Sequence, residues 1–396
     1  MPAFFWLNMM KLIVTLVLAC FTGSTFAAEP LFDFPKLADG RDIVTADLHT
    51  HSIFSDGLVW PLVRVEEAVR EGIDVLAATE HLEYQRHEGF VNSSDKNASH
   101  SIAVQSAEQA NFHDIILVNG AEITRNFPPG HVNAVFIDDA NKLLYPLSRQ
   151  NLDPAERAIN QENAMRALAA AKDQDAFIFW NHPNWIPHTP NGIAKPTPMH
   201  EQLIADGKLH GIEVANGTLG ESYSEEAFQI ALDFGLTVLA TSDIHGLTAW
   251  THDVGSGGHR PMTLVLARRT KDSVREALFD GNTVAWNRED LIGIEENVQS
   301  VLQACLNIEA QEYLPKSAVF SAIIRNRCPL PFTLLNISEF TFQNGSDLVR
   351  VLAHDRFPIE IKTGERLSEF LLTFRVLNTQ VKPRENATMI FSLSGE

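Results

Sequence analysis

Two histidines, His49 and His51, stand one residue apart just beyond the apolar run Ile43-Val44-Thr45-Ala46. Side chains alternate along a strand, so both imidazoles fall on one face and can ligate one ion. Asp56 follows in Ser55-Asp56-Gly57. Alone, the pair is better explained by a solvated loop. Five further segments carry residues of the same kind: Thr79-Glu80-His81, Gly120-Ala121-Glu122-Ile123, Gly130-His131, Asn181-His182-Pro183 and Thr241-Ser242-Asp243-Ile244-His245. All but His131 follow an apolar run, so parallel strands deliver them to a common end, where barrel enzymes assemble their sites. Any one of them is most simply a structural histidine or a capping acid. Together, His49, His51, Asp56, His81, Glu122, His131, His182, Asp243 and His245 point to a metal centre. Imidazole and carboxylate donors suit Zn, Mn or Fe without choosing among them. Clustered divalent ions lower the pKa of bound water to about 7 and neutralise phosphate oxygens, the chemistry of metal-assisted ester hydrolysis.

The elements that must position these residues alternate in type. Strand-like runs begin at Ile43, Ile73, Ile115, Val132, Phe177, Ile212, Val238 and Met262. Between them, periodicity predicts helices over about 60–71, 98–112, 154–172, 199–208, 223–234 and 271–280. Asp153-Pro154 reads as an N-cap with proline at the first helical position, and Gly72 and Gly235 stand where helices stop. Such alternation predicts an α/β fold with a parallel sheet or barrel. The polar stretch 83–97 is expected to lie outside the core, where it could border a site. Beyond about residue 300 short alternating runs replace the helices, which predicts a small C-terminal β-sandwich over 301–396.

Composition narrows the function classes. The chain has 396 residues, 45% hydrophobic and 20% charged, which is globular, and carries 31 basic against 50 acidic residues for a net charge of −19. Residues 301–396 hold ten acidic and ten basic side chains, so the whole excess lies before them. That sign opposes general binding to nucleic acid or anionic membranes. At the N-terminus, Lys11 precedes the apolar run Leu12–Ala19 and a small-residue region ending Thr25-Phe26-Ala27. This reads as a secretory signal peptide over 1–27, too short to span a bilayer, with cleavage after Ala27. A lipoprotein site at Cys20 is the alternative, and either implies a periplasmic or secreted protein. Cys305 and Cys328 then remain, as a disulfide in an oxidising compartment or as two buried thiols.

The ordered set His49-Thr50-His51, Ser55-Asp56-Gly57, Glu80-His81, Glu122, His131, Asn181-His182-Pro183 and Asp243-Ile244-His245 resembles the PHP (polymerase and histidinol phosphatase) metallo-phosphoesterases over about residues 41–290. The resemblance implies a distorted (β/α)7 barrel with two or three divalent ions. By motif, His49, His51, Glu122 and Asp243 would surround one ion and Asp56, His81 and His245 a second. Glu122 would bridge to a third ion held with His131 and His182. Asp56 and Glu80 occupy slots that vary within the family. The signal, Gly-Ala-Glu-Ile-Thr-Arg (120–125), Gly-His-Val-Asn-Ala-Val-Phe-Ile (130–137), His259-Arg260-Pro261-Met262-Thr263 and the β tail are similar to exported phosphodiesterases of the Sb-PDE type.

Around the ligands, Arg125 could clamp a phosphate, or form a surface ion pair. His188 could protonate a leaving group, and Asp47 could orient a ligand imidazole. Trp180 and Trp185 could line the pocket; Arg260 has no assigned role. The expectation is an exported metal-dependent phosphodiesterase of small organic diesters, with a metal-bridged hydroxide as nucleophile. A phosphomonoesterase, a nuclease and a non-enzymatic metal-binding module are the alternatives.

Overall fold

In the computed structural model, residues 32–146, 153–218, 220 and 222–395 are described. The expected signal peptide lies outside them. The barrel strands are β1 (Asp42–Asp47), β2 (Val75–Ala78), β3 (Ile116–Ile123), β4 (Val132–Val135), β5 (Phe177–Trp180), β6 (Gly211–Asn216), β7 (Ser222–Tyr223), β8 (Thr237–Thr241), β9 (Met262–Ala267), β10 (Thr283–Asn287) and β11 (Asp290–Ile292). They form one curled sheet in the order β11-β10-β9-β1-β2-β3-β4-β5-β6, with β7 and β8 both on β6. The seam between β8 and β1 is closed beyond the strand ends, where Thr50 bridges Ile244 and the Asp243 amide donates to the His49 carbonyl at 2.8 Å. The ligand-bearing segments are therefore themselves the closure.

The helices form where caps and periodicity place them. Asp153 accepts from the amides of Ala155 and Glu156 and starts the helix Pro154–Lys172, and Gly235, at φ 65°, ends Glu225–Phe234. The helices Pro61–Arg70, Ala98–Ala110, Pro198–Ala205 and Lys271–Phe279 cover the other strands. Inside the sheet, Val44, Ala46, Val75, Val118, Phe177, Phe179 and Leu239 fill the barrel. The alternation of strand and helix is not strict. β4 runs antiparallel to β3 and β5, and β9 antiparallel to β1 and β10. The starts of β4 and β9 thus share a rim with the ends of β1, β3 and β10.

The C-terminal unit is a two-layer sandwich. Its strands are β12 (Leu306–Tyr313), β13 (Val319–Asn326), β14 (Phe332–Asn336), β15 (Thr341–Phe342), β16 (Leu348–Val351), β17 (Arg356–Lys362), β18 (Glu369–Val376), β19 (Thr379–Gln380) and β20 (Thr388–Ser394). The sheets are ordered β12-β13-β17-β15 and β16-β14-β18-β20. β13 alternates half-buried and buried residues along its length, the period-two signature of a one-sided core. Cys305 and Cys328 form a disulfide. The helix Glu295–Cys305 corrects the expectation that helices fade near residue 300; Val298, Val301, Leu302 and Cys305 make its buried stripe. β19 leaves the sandwich and pairs in parallel with β11. Trp286 and Leu291 of the barrel share one core with Val298, Phe332 and Phe374.

Candidate metal centre

The rim described above gathers the expected ligands. His49 Nε2 and His51 Nε2 lie 3.1 Å apart. His49 Nε2 is 3.4 Å from Glu122 Oε2 and 3.3 Å from Asp243 Oδ1; for His51 Nε2 the values are 3.3 and 3.2 Å. Five edges of a four-donor polyhedron are thus nearly equal. His49, His51 and Asp243 form one compact group of donors, and Glu122 Oε2 lies against its two imidazoles. Beside it, Asp56 Oδ1 lies 3.2 Å from His245 Nε2 and 3.6 Å from His81 Nε2. His51, Asp56, His81 and His245 form a second compact group, and His81, Glu122 and His131 a third. His131 Nδ1 is 2.7 Å from Glu122 Oε1. His182 Nε2 stands farther out, 3.8 Å from Glu122 Oε1 and 3.9 Å from Asp243 Oδ2. The grouping differs from the one the resemblance implies: His51 is shared by two groups, and His81 takes the place beside His131 that His182 was expected to fill.

His131 reaches the centre because β4 is antiparallel, so the residue that precedes its strand sits beside the end of β3. Backbone strain accompanies two ligands: Asp243 has φ 51° and His182 φ 28°. Gly57 lets the Asp56 turn lie against the His51–Ser52 backbone; a Cβ there would come within 2.7 Å of it.

Electrostatics follow from the crowding. Burial alone would push His49 down, but Asp243, Glu213 and Glu122 overrule it and raise it well above its usual range. His81 is burdened by burial and raised chiefly by Glu122 and Asp56; His245 is raised in the same way by Asp56 and Asp243. Glu122, buried, is held well below the carboxylate range by His81, His131 and His49. His131, pushed by burial, falls to about 4. His131 Nε2 and His182 Nδ1 are buried without a hydrogen-bond partner. A cluster of close, converging imidazoles and carboxylates with orphaned ring nitrogens is what bound cations would satisfy.

Positioning residues surround the ligands, and two of them, Glu213 and Arg64, carry no motif of their own. Glu213 of β6 accepts from His49 Nδ1 at 2.7 Å, from the His182 amide at 2.6 Å and from Thr241 Oγ1 at 2.6 Å. It fixes the His49 tautomer that leaves Nε2 facing the centre. Glu80 lies behind the centre, accepting from the Ser52 amide and the hydroxyls of Ser52, Ser55 and Ser99. Buried Arg64 donates to the carbonyls of His51 at 3.3 Å and Gly246 at 2.8 Å, tying two ligand loops together.

Two expected roles do not match the geometry. Asp47 orients no imidazole: its carboxylate accepts from the Ser242 amide and hydroxyl and from Arg260, which also forks onto Glu71. Arg125 is fully buried and bound to Glu83 and to the carbonyls of Thr124 and Asn160, so its guanidinium does not face the pocket. His188 is close, with its ring 4.7 Å from that of His131, but burial and the neighbouring imidazoles push it down to about 2. That shift disfavours the imidazolium form that a leaving-group acid would need. Trp185 lines the pocket over the ligands; Trp180 is instead stacked on His200 at 3.9 Å.

That pocket, about 150 Å³, is walled by Asp56, His81, Glu122, His131, His182, Trp185, Thr218, Asp243 and His245. Asp56, Thr218 and His245 also line an adjoining cleft of about 1070 Å³, which Arg86 and Arg288 border.

The crystal structure of a two-domain protein from Bacteroides vulgatus, containing a predicted PHP-like metal-dependent phosphoesterase, matches 91% of this chain and 98% of its own at 36% identity and a TM-score of 0.79. This chain belongs to the PHP-like metal-dependent phosphoesterases. Its C-terminal residues 306–392 match the Ig-like domain family. A protein from Bifidobacterium adolescentis assigned as a metal-dependent phosphoesterase matches 52% of this chain and 89% of its own, at 19% identity and a TM-score of 0.37. No curated protein matches. PHP-like membership and the convergent donors agree on a metal-dependent hydrolase.

Proposed function

We propose that the protein is an exported phosphodiesterase that hydrolyses small organic diesters at a centre of two or three divalent ions. The observation that carries this reading is the clustering of His49, His51 and Asp243 in one compact donor group, with Glu122 Oε2 against both imidazoles. When bound, divalent ions supply acidified water and charge neutralisation for in-line displacement at phosphorus. His49, His51, Glu122 and Asp243 would hold one ion, and His51, Asp56, His81 and His245 the neighbouring one. His81 and His131, with Glu122, would hold a third, and His182 stands farther out. Glu122 offers one oxygen to each side and is the residue that couples the groups. Glu213 keeps His49 Nε2 turned inward, and Trp185 walls the pocket against bulk water.

Two observations support the finer parts. The small pocket opens into a much larger cleft, so a phosphoryl group with two substituents has room for both. The export reading rests on residues 1–27 and gains support from the Cys305–Cys328 disulfide, a bond that persists in oxidising compartments. Among the described residues, no helix is long and apolar enough to cross a membrane.

The direct test is turnover of bis(p-nitrophenyl) phosphate beside p-nitrophenyl phosphate, with and without chelator. A chelator-sensitive preference for the diester is expected. Preference for the monoester would turn the assignment to a phosphomonoesterase.

A further inference from the structure

The small pocket suits a phosphoryl group, whereas the adjoining cleft of about 1070 Å³ is far larger than a simple aryl or alkyl leaving group needs. Among its described lining residues Leu58 and Ile244 are the large aliphatic side chains, beside Asp56, Arg86, Asp253 and Arg288. Two arginines border it, from different parts of the chain. Arg86 follows the ligand His81 in the polar stretch 83–97, whose backbone is pinned to the metal-side loop by the Arg86 amide donating to the Ser55 carbonyl at 2.9 Å. Arg288 stands in the turn between β10 and β11, at φ 56°. β10 points to the ligand rim, which is why this turn reaches the cleft.

The carboxylates on the same walls are mostly engaged elsewhere. Asp56 faces His81 and His245. Glu289 takes both arms of Arg350, at 2.7 and 3.0 Å, Asp253 is a further described acid of the lining, and Asp290 interacts with Arg288. Arg288 is held in place from three sides. Its carbonyl accepts from His259 Nε2 at 2.7 Å, and its guanidinium donates to the Gly220 carbonyl at 3.3 Å. The next residue, Glu289, is fastened to the Ig-like domain by Arg350 and by Asn378 Nδ2, 2.7 Å from its carbonyl. The C-terminal domain thus fixes the backbone of one wall of the cleft, from which Arg288 extends.

We propose that this cleft is the subsite for the second arm of the diester, and that this arm is polar and carries an anionic group bound between Arg288 and Arg86. The proposal rests on the phosphodiesterase reading above. It gives the Ig-like domain a function, as the brace of a substrate-recognition wall.

The test uses two p-nitrophenyl diesters that share a leaving group and differ in the other arm, one butyl and one 3-carboxypropyl. The wild type should favour the 3-carboxypropyl diester in kcat/KM, chiefly through KM. Arg288→Met and Arg86→Met should each lower that preference about tenfold, the worth of one charge-assisted contact, and Arg288→Lys by less. Absence of the preference in the wild type, or its survival undiminished in both Met variants, overturns the proposal. Calorimetric binding of 3-carboxypropyl phosphate and butyl phosphate to the metal-loaded protein separates the two readings. If neither diester is turned over but 3-carboxypropyl phosphate still binds in an Arg288-dependent way, the phosphodiesterase reading falls and the subsite stands. Equal binding of the two monoesters by the wild type overturns the subsite whatever the turnover.

Discussion

Of the carboxylates at the centre, Glu213 is the one no ligand motif announces, since it lies 164 residues from the imidazole it orients. Residues that hold a ligand's second nitrogen typically contribute 10–100-fold to metal affinity. Glu213→Gln keeps the shape but weakens the acceptor, so affinity for the first ion should fall within that range in a chelator competition, with the fold retained by circular dichroism. Unchanged affinity would show that His49 is oriented without it. The protonation state of the ligands gives a second prediction. His49, His81 and His245 are raised by buried carboxylates, so the metal-free protein carries extra protons near pH 7. Ions need the neutral imidazoles, so loading must release protons and metal affinity must rise with pH. Proton uptake on loading, measured in a weakly buffered solution at pH 7, would contradict this.

At the scale of elements, the ligand motifs were legible because each of them but His131 follows an apolar strand. The antiparallel β4 was not legible: Val132–Val135 reads the same in either direction, and only its pairing shows that His131 belongs to the common rim. The same limit applied to charged neighbours. Arg125 follows Glu122 by three residues, yet its partner Glu83 comes from another loop, and burial beside that carboxylate removes it from the pocket. The helix Glu295–Cys305 carries a helical stripe that sequence reading overlooked against the β pattern following it. Its last residue is cross-linked to Cys328 across 23 positions. Closing a loop of that length stabilises a fold by about 3 kcal/mol through the unfolded chain. Replacing both cysteines by serine should lower stability by roughly that amount in denaturant unfolding, while a loss under about 0.5 kcal/mol would assign the bond no stabilising role.

For the whole molecule, the sequence showed two patterns, an α/β region and a β tail, but not how they join. In the structure they share a strand pair, β11 with β19, and a continuous core running from Leu264 and Trp286 through Val298 to Phe332 and Phe374. Long-range register of this kind leaves no local signal, and neither does the wall that the second domain lends to the cleft. The acidic excess, confined before residue 301, sits in the same region as the centre. Divalent ions reverse that sign locally, which lets a small anionic ester approach where a long polyanion is repelled. Under the proposed function, activity depends on occupancy of a multi-ion centre joined by Glu122. The most direct test is to strip the purified protein of metal, reload it stepwise and measure ions bound per chain against bis(p-nitrophenyl) phosphate turnover. Turnover that is absent from stripped protein and emerges as the second ion per chain is taken up is the predicted result; full turnover in protein holding no metal would contradict it.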